Sequence, residues 1–335
     1  MRVVEAASGA VAFPSGAFPS GTKLGRVRDM GGHFPGVRPV AVVRAEELDV
    51  RADRSGKTRV WLALEALQVT GSFKVRGALV ALVSQRGACV VTASQGNHGI
   101  GVAYAAHMLG LHATVFVPRS TPATKCRHIT RWGAELVVVG SDRYEAAEQG
   151  ARRFAETTGA PFLSPSDEAV VLGNGASIGF ELVDALRGIP ERVLVPLGGG
   201  GLATGLAWAL AEEGAEPTVD RPVWGVQSEQ GCAVAMALAG KTSEDGEAPA
   251  CVERIRAAIG GVLLVRERAI DDALDFARRE LGMTLEANGA LGLAPLFCGL
   301  PERLCGGDVV ALLTGRNVDA VPVRTHRASP PPRAC

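Results

Sequence analysis

A lysine at the end of an apolar segment is the residue of this chain best suited to covalent chemistry. Residues 71–78 read GSFKVRGA, so Lys74 comes soon after the largely apolar run WLALEALQVT at 61–70. Entry into a core lowers the pKa of a lysine, because desolvation penalises the charged form. A neutral amine can attack a carbonyl carbon and form a Schiff base. From this segment alone, the alternative is a lysine whose stem is buried and whose ammonium reaches water.

Two polar or glycine-rich turns each follow a strand-like segment and precede a helix-like one. SQGNHG at 94–99 lies between ACVVTA and IGVAYAAHMLG, and GGGG at 198–201 lies between RVLVPL and LATGLAWALAEE. This order directs backbone N–H groups and the positive end of a helix into each turn. Successive glycines let the backbone wrap closely around an anion. Neither the GK[ST] nor the GxGxxG spacing is present, which argues against a nucleoside-triphosphate loop and a dinucleotide fingerprint.

Six segments in this order resemble the pyridoxal-phosphate enzymes of fold type II, the tryptophan-synthase-β-like family, and most closely the serine/threonine dehydratases. The resemblance extends over residues 38–322. The segments are GSFKVRGA, TASQGNHGIGVAYAA, VPRSTPATKCRHITRWGAELVVVG, LVPLGGGGLATGLA, LEANGALGLA and VVALLTGRNVD. The cofactor implied by this resemblance is pyridoxal 5'-phosphate.

Strand-like apolar runs alternate with Ala-rich helical stretches, and this alternation predicts an α/β fold with mostly parallel sheets flanked by helices. The resemblance adds two domains, each with a mostly parallel twisted sheet. The large cofactor-binding domain would comprise 38–86 and 168–322, and the small domain, with the Asn and carboxylate loop, 87–167. Outside them we expect a lead segment or packing arm at 1–37 and a disordered tail at 323–335.

The resemblance also assigns roles to individual residues. Lys74 would form the Schiff base with the cofactor and later take the Cα proton of the substrate, with Phe73 beside it. Asn97 would hydrogen-bond the ring hydroxyl, and Thr314 would lie opposite the ring nitrogen. Glu286 would face the cofactor side of the site.

Two groups of residues complete the predicted site. The phosphate would be held by backbone N–H groups of Gly198, Gly199, Gly200, Gly201 and Leu202. The substrate and its carboxylate would be bound by Ser94, Gln95, Gly96 and His98.

The implied reaction is β-elimination by an ammonia-lyase, or dehydratase, that converts a serine- or threonine-like β-hydroxy amino acid to a 2-oxo acid and ammonia. A neutral hydroxyl at Thr314 cannot keep the ring nitrogen protonated, and this weaker electron sink suits elimination. Gln95 stands where related serine racemases have a serine as second acid/base, so racemisation is disfavoured. Arg316 replaces a family glycine. Either it binds an acidic or hydroxylated substrate side chain together with Gln95, or it points to solvent.

Two other enzyme functions remain open from the sequence. One is β- or γ-replacement, as in threonine or cysteine synthases. The LTG run at Thr314 also occurs in threonine synthases, but their cofactor motif has Asp after the lysine, where this chain has Val75. The other is a dehydratase acting on a specialised amino acid of secondary metabolism.

Composition narrows the possible partners. The 335 residues include 35 acidic and 35 basic side chains, and this balance gives no reason to expect nucleic acid or a membrane surface as partner. Seven scattered cysteines form no metal-ligand spacing and predict reduced thiols and no metal site. No secretory signal is evident, and we expect no apolar run long enough to span a membrane. The sequence therefore predicts a cytoplasmic enzyme, a homodimer by family resemblance, whose partner is a small amino-acid substrate.

Overall fold

The computed structural model describes residues 1–6, 21–30, 36–83, 88–215, 220–240 and 251–319. The strands are β1 (Arg2–Glu5), β2 (Val42–Arg44), β3 (Thr58–Leu64), β4 (Cys89–Ala93), β5 (His112–Val117), β6 (Glu135–Val138), β7 (Arg192–Pro196), β8 (Val223–Ser228), β9 (Gly261–Val265) and β10 (Gly307–Leu313). The α-helices are α1 (Gly21–Met30), α2 (Asp49–Ala52), α3 (Lys74–Leu82), α4 (Asn97–Leu109), α5 (Ala123–Arg131), α6 (Tyr144–Thr158), α7 (Glu168–Val171), α8 (Ser177–Leu186), α9 (Gly201–Glu212), α10 (Ala233–Leu238), α11 (Val252–Ala258), α12 (Glu267–Arg279) and α13 (Ala287–Ala290). Short 3₁₀ turns cover Glu46–Leu48, Glu65–Leu67, Ala294–Phe297 and Glu302–Leu304.

The larger sheet has seven strands in the order β1-β9-β8-β7-β10-β3-β2. Its inner pairs are parallel, and the two edge strands, β1 and β2, are antiparallel to their neighbours. Strands β7, β9 and β10 are nearly continuous apolar runs, as expected for parallel strands covered by helices on both faces. The fold is therefore the predicted α/β architecture.

The smaller sheet has three parallel strands in the order β4-β5-β6. Helix α4 leaves the end of β4, and α5 connects β5 to β6, so the loop 94–96 and two helices that approach the active site belong to this sheet. The boundaries of the two domains remain a prediction.

The lead region packs against the rest of the protein wherever the structure describes it. Strand β1 pairs with β9, with Arg2 opposite Leu264. Leu24 and Val27 of α1 are buried against the side chains of Phe180 and Trp208. These contacts are those of a packing arm. The predicted tail at 323–335 and the polar loop at 241–250 lie outside the described residues.

Helices α7 and α8 are joined by a π-helical turn, Leu172–Ala176, into one helical stretch, Glu168–Leu186. By length and composition this stretch could cross a membrane, so the expectation that no apolar run reaches that length was wrong. It is nevertheless 67% buried inside the protein, as a core helix is. In the π turn, a Cβ on Gly173 would lie 2.7 Å from the Cα of Gly77. The glycines therefore permit α3 to cross this helix in close contact.

An ion-pair network fixes the start of α3. The Arg76 guanidinium donates hydrogen bonds to both carboxylate oxygens of Glu65, at 2.9 and 2.8 Å, and to both of Glu181, at 2.8 Å each. Arg76 and Glu65 are almost completely buried. These two carboxylates raise the pKa of Arg76 although burial opposes its charge. The network joins α3 to the turn after β3 and to α8, so the backbone that presents Lys74 is rigidly held.

Candidate active site

A cavity of about 530 Å³ lies between the two sheets and is lined by every residue predicted for the site. Its volume is in the range typical of small-molecule pockets. The lining residues from the prediction are Phe73, Lys74, Ser94, Gln95, Gly96, Asn97, His98, Gly198, Gly199, Gly200, Gly201, Leu202, Glu286 and Thr314. The structure thus brings together segments far apart in sequence, and the roles assigned to them remain predictions.

Lys74 is the first residue of α3 and points into this cavity. Its Nζ lies 4.8 Å from the centre of the Phe73 ring and makes no hydrogen bond or ion pair within the described chain. Burial lowers the pKa of Lys74 to about 8. Helix α4 approaches its backbone so closely that a Cβ on Gly101 would lie 2.9 Å from the Lys74 carbonyl. The result is a fixed lysine with an appreciable neutral fraction near pH 7, which is what covalent attack on a carbonyl requires.

The loop before α4 presents hydrogen-bond donors to the cavity. The Ser94 hydroxyl oxygen accepts hydrogen bonds from the backbone N–H groups of Gly96, at 2.9 Å, and Gly99, at 2.8 Å. Its own hydrogen therefore remains available for donation. The N–H groups of Asn97 and His98 are in the first turn of α4 and have no intrahelical acceptor. Such a set of donors suits a carboxylate.

His98 is neutral in this environment, because burial lowers its pKa to about 3. The Thr92 hydroxyl donates to the Leu163 carbonyl at 2.7 Å, so it accepts from the His98 Nε2–H at 3.1 Å. The ring is thus held against β4. Any contact with a substrate carboxylate would come from the backbone N–H of His98 and not from a charged imidazole.

Asn97 is oriented by a chain of hydrogen bonds. Its Nδ2 donates to the Glu286 Oε1 at 2.8 Å, and its Oδ1 accepts from the Asn317 Nδ2 at 2.9 Å. The Asn317 Nδ2 also donates to the Thr70 carbonyl at 2.8 Å. Because a carboxylate and a carbonyl can only accept, the orientation of both amides is determined. Asn97 keeps one N–H hydrogen, so toward a cofactor it can donate but not accept.

The glycine loop between β7 and α9 forms an anion cradle. The N–H groups of Gly198, Gly199 and Gly200 donate to no other part of the described chain, and the first N–H groups of α9 have no intrahelical acceptor. A Cβ added at Gly198 or Gly199 would meet no atom within 4 Å, so both face open space in the cavity. Gly200 adopts φ +78°, and a Cβ there would lie 2.3 Å from Ile255. Glycine is required at this position by conformation and by space.

Thr314 follows β10 and is buried at the cavity wall. Its backbone N–H donates to the Gly289 carbonyl at 3.1 Å, and its carbonyl accepts from the Phe73 N–H at 3.4 Å. The second contact couples the end of β10 directly to the lysine segment. The Thr314 hydroxyl is neutral and makes no side-chain hydrogen bond to the described residues.

Arg316 lies outside this cavity. It is exposed and lines a separate cleft of about 1430 Å³, together with Arg131 and Arg278. The hypothesis that Arg316 and Gln95 jointly bind the substrate side chain is therefore wrong, and the solvent-facing alternative is correct. The chain reverses direction after Thr314, where Ser72 and Gly315 form an isolated antiparallel bridge, and this bridge turns the next side chain outward.

Three further residues contribute to the site and were not predicted for it. Lys125 on α5 forms an ion pair of 2.7 Å with Glu286, Tyr144 lines the cavity from the start of α6, and Asn317 holds Asn97. Burial raises the pKa of Tyr144 to about 12, so its hydroxyl stays protonated. Lys125 and Asn317 lie in two of the six segments that carry the family resemblance. Their presence there was the available signal.

The site fits a phosphorylated aromatic aldehyde. An amine for the aldehyde, a cradle for the phosphate, an amide donor for a ring oxygen and a hydroxyl for a ring nitrogen all line one cavity. Within the part of the chain that the structure describes, no group of three or more His, Cys, Asp or Glu side chains could hold a metal ion.

Comparison with known proteins gives a consistent result. The family model described as "Pyridoxal-phosphate dependent enzyme" matches residues 33–315. The L-threonine ammonia-lyase of Thermotoga maritima is 34% identical over 278 residues, which cover 78% of this chain and 67% of the relative. The catabolic L-threonine dehydratase of Staphylococcus aureus is 31% identical over 283 residues, covering 78% of this chain and 80% of the relative.

Solved structures share the fold. A bacterial threonine deaminase, from the organism abbreviated T.th., is 30% identical with a TM-score of 0.76, and the match covers 91% of this chain and all (100%) of that one. Maize serine racemase has a TM-score of 0.78 at 23% identity, covering 89% of this chain and 93% of that one, and it shows the likeness of fold alone.

Proposed function

Because the chain belongs to the family of pyridoxal-phosphate dependent enzymes, we propose that it is an ammonia-lyase that converts a β-hydroxy amino acid to a 2-oxo acid and ammonia. One observation carries this proposal. A buried lysine without an ionic partner in the described chain, a cradle of free N–H groups and a loop of carboxylate donors face one cavity. The similarity to threonine ammonia-lyases at 34% and 35% identity supports the same reaction class.

The residues named above would hold the cofactor. Lys74 would bind its aldehyde carbon covalently, the N–H groups of Gly198–Leu202 would bind its phosphate, and Asn97 would donate to its ring oxygen. Thr314 would meet the ring nitrogen with a neutral hydroxyl. When bound, pyridoxal phosphate withdraws electrons from the Cα of an amino acid.

Proton transfer at the substrate Cα falls to Lys74. Its Nζ has a pKa of about 8, so an accepted proton is held firmly enough to leave Cα and weakly enough to be given up again near neutral pH. The Ser94 hydroxyl and the free N–H groups of Asn97 and His98 orient the substrate by its carboxylate. A neutral Thr314 provides no counter-charge for a protonated ring nitrogen. That condition favours loss of the β-hydroxyl over racemisation.

Serine and threonine are the substrates that this site suits. The exposed Arg316 supplies no charge for an acidic side chain in the cavity. The charged side chains that line it are Lys74, Lys125 and Glu286, and the last two are paired with each other. Gln95 is exposed at the cavity surface and cannot exchange protons, which is consistent with a lyase.

The test is product analysis on the cofactor-loaded enzyme with L-serine, L-threonine and 3-hydroxyaspartate, each with and without an added thiol. We expect 2-oxo acid and ammonia in equal amounts from serine or threonine, unaffected by the thiol. Lys74→Ala is the control and should release neither product. Formation of a thiol adduct in place of ammonia would identify a replacement synthase, and no product from any of the three amino acids would refute the lyase.

We also infer that the enzyme is a cytoplasmic homodimer. The six cysteines within the described chain are all free, as thiols in a reducing compartment are. The dimer is inferred from family resemblance alone. Sedimentation equilibrium of the loaded enzyme tests it, and a single species of 34.7 kDa would contradict it.

A further inference from the structure

Lys125 is a second lysine of the cavity for which the reaction above has no use. Its side chain is only 16% exposed, and it lines the same cavity as the glycine loop. The stem lies directly over Gly96, because a Cβ on that glycine would be 2.2 Å from the Lys125 Cδ and 3.1 Å from its Nζ. The ammonium is therefore held against the backbone of the loop that presents the carboxylate donors.

The partner of Lys125 is already well supplied with donors. Glu286 Oε1 accepts from the Asn97 Nδ2 at 2.8 Å and from the Asn317 backbone N–H at 3.0 Å, while Oε2 accepts from the Lys125 Nζ at 2.7 Å. An ammonium has three hydrogens to donate, and this contact uses one. No other hydrogen-bond acceptor for Lys125 is found in the described residues, so two N–H hydrogens remain on the side of the cavity loop.

A substrate carboxylate on this loop would bring a second negative charge close to Glu286. Two carboxylates in one partly buried site repel each other, and a shared cation removes this repulsion. Lys125 is the charged group that lies between the two positions. Lys74 cannot serve here, because it must be neutral for its own chemistry.

We propose that Lys125 binds the substrate, and that its ammonium bridges the Glu286 carboxylate and the α-carboxylate of the amino acid. The proposal rests on the proposed function only in taking an amino acid as the substrate. It predicts that Lys125 selects for ligands with a carboxylate next to the amine. Since Glu286 also holds Asn97, the same bridge links substrate binding to the residue that donates to the cofactor ring.

The experiment compares Lys125→Met, Lys125→Arg and the wild type as cofactor-loaded enzymes. Dissociation constants for L-serine and for 2-aminoethanol, which lacks the carboxylate, are measured from the change in cofactor absorbance. KM and kcat for L-serine are measured in parallel. In Lys125→Met we expect the dissociation constant and KM for serine to rise about 10- to 100-fold, as for loss of a charge-assisted hydrogen bond. The constant for 2-aminoethanol and kcat should change by less than about threefold.

Two controls isolate the charge. Lys125→Arg keeps the cation and should recover most of the serine affinity. Arg127→Met removes an exposed cation of the same helix, one that donates to the Thr124 hydroxyl, and should leave all constants unchanged. If Lys125→Met fails to retain the cofactor, Lys125→Gln carries the same comparison, because it keeps an N–H donor for Glu286 without the charge.

The outcomes separate the two proposals. If serine and 2-aminoethanol lose affinity equally in Lys125→Met, or neither loses any, Lys125 does not bind the carboxylate. If the wild type binds serine but releases no ammonia, the lyase is refuted, while the ratio of the two dissociation constants still decides the role of Lys125.

Discussion

Replacing Lys74 with methionine should stabilise the cofactor-free protein at neutral pH, although it abolishes activity. The Lys74 ammonium has lost hydration and has no anionic partner in the described chain, so its pKa falls from 10.5 to about 8. Between these two pH values the unfolded protein binds the additional proton. The free energy of unfolding of the wild type therefore rises with pH across this window, and below pH 8 the full penalty is present.

The magnitude follows from the shift. The difference between 10.5 and about 8 corresponds, at about 1.4 kcal/mol per pKa unit, to an upper limit of about 3 kcal/mol. The side chain borders a cavity that admits water, which reduces the penalty. We therefore expect Lys74→Met to be about 1–3 kcal/mol more stable than the wild type at pH 7, and the difference to vanish as the pH approaches 10.5.

The assay is urea unfolding of both proteins, freed of cofactor, at pH 7, 8, 9 and 10. Lys57→Met is the matched control, because Lys57 is exposed and its replacement should give a difference that does not vary with pH. A wild type that is the more stable protein at pH 7, or a difference independent of pH, would refute the argument. Lys74 would then be hydrated, and its reactivity would need another cause.

Three further predictions follow from single contacts. Arg76→Met leaves the buried Glu65 carboxylate unpaired and should lower the free energy of unfolding by about 3–5 kcal/mol in urea titration; a loss below about 1 kcal/mol would show that the network is not required. Thr314→Asp should raise the ratio of racemised and transaminated products to 2-oxo acid, because a carboxylate would keep the ring nitrogen protonated; an unchanged ratio in the loaded variant would mean that Thr314 does not face that atom. Gly200→Ala, with φ +78° and a side chain 2.3 Å from the new Cβ, should weaken cofactor binding at least about tenfold by equilibrium titration. The exposed Gly188→Ala, which meets no atom within 4 Å, should leave it unchanged.

The sequence alone determined the α/β class, the cofactor family and the residues that line the cavity. Each motif is a strand, a turn and a helix that are adjacent in the chain, so its geometry is largely local. Gly198–Leu202 and the loop at 94–98 present their N–H groups because a helix begins there, whatever the rest of the fold does. Lys74 likewise stood out because apolar neighbours in sequence predict burial.

Tertiary structure alone decided how these segments meet. Arg316 was a substrate-binding candidate by its position in a motif, and only the turn after β10 directs it away from the cavity. Glu286 and Lys125 are 161 positions apart, so no local pattern indicates that they form an ion pair. The direction of a side chain and its partner depend on packing between distant segments. For that reason the cavity could be predicted from local motifs, whereas the charges that balance each other within it could not.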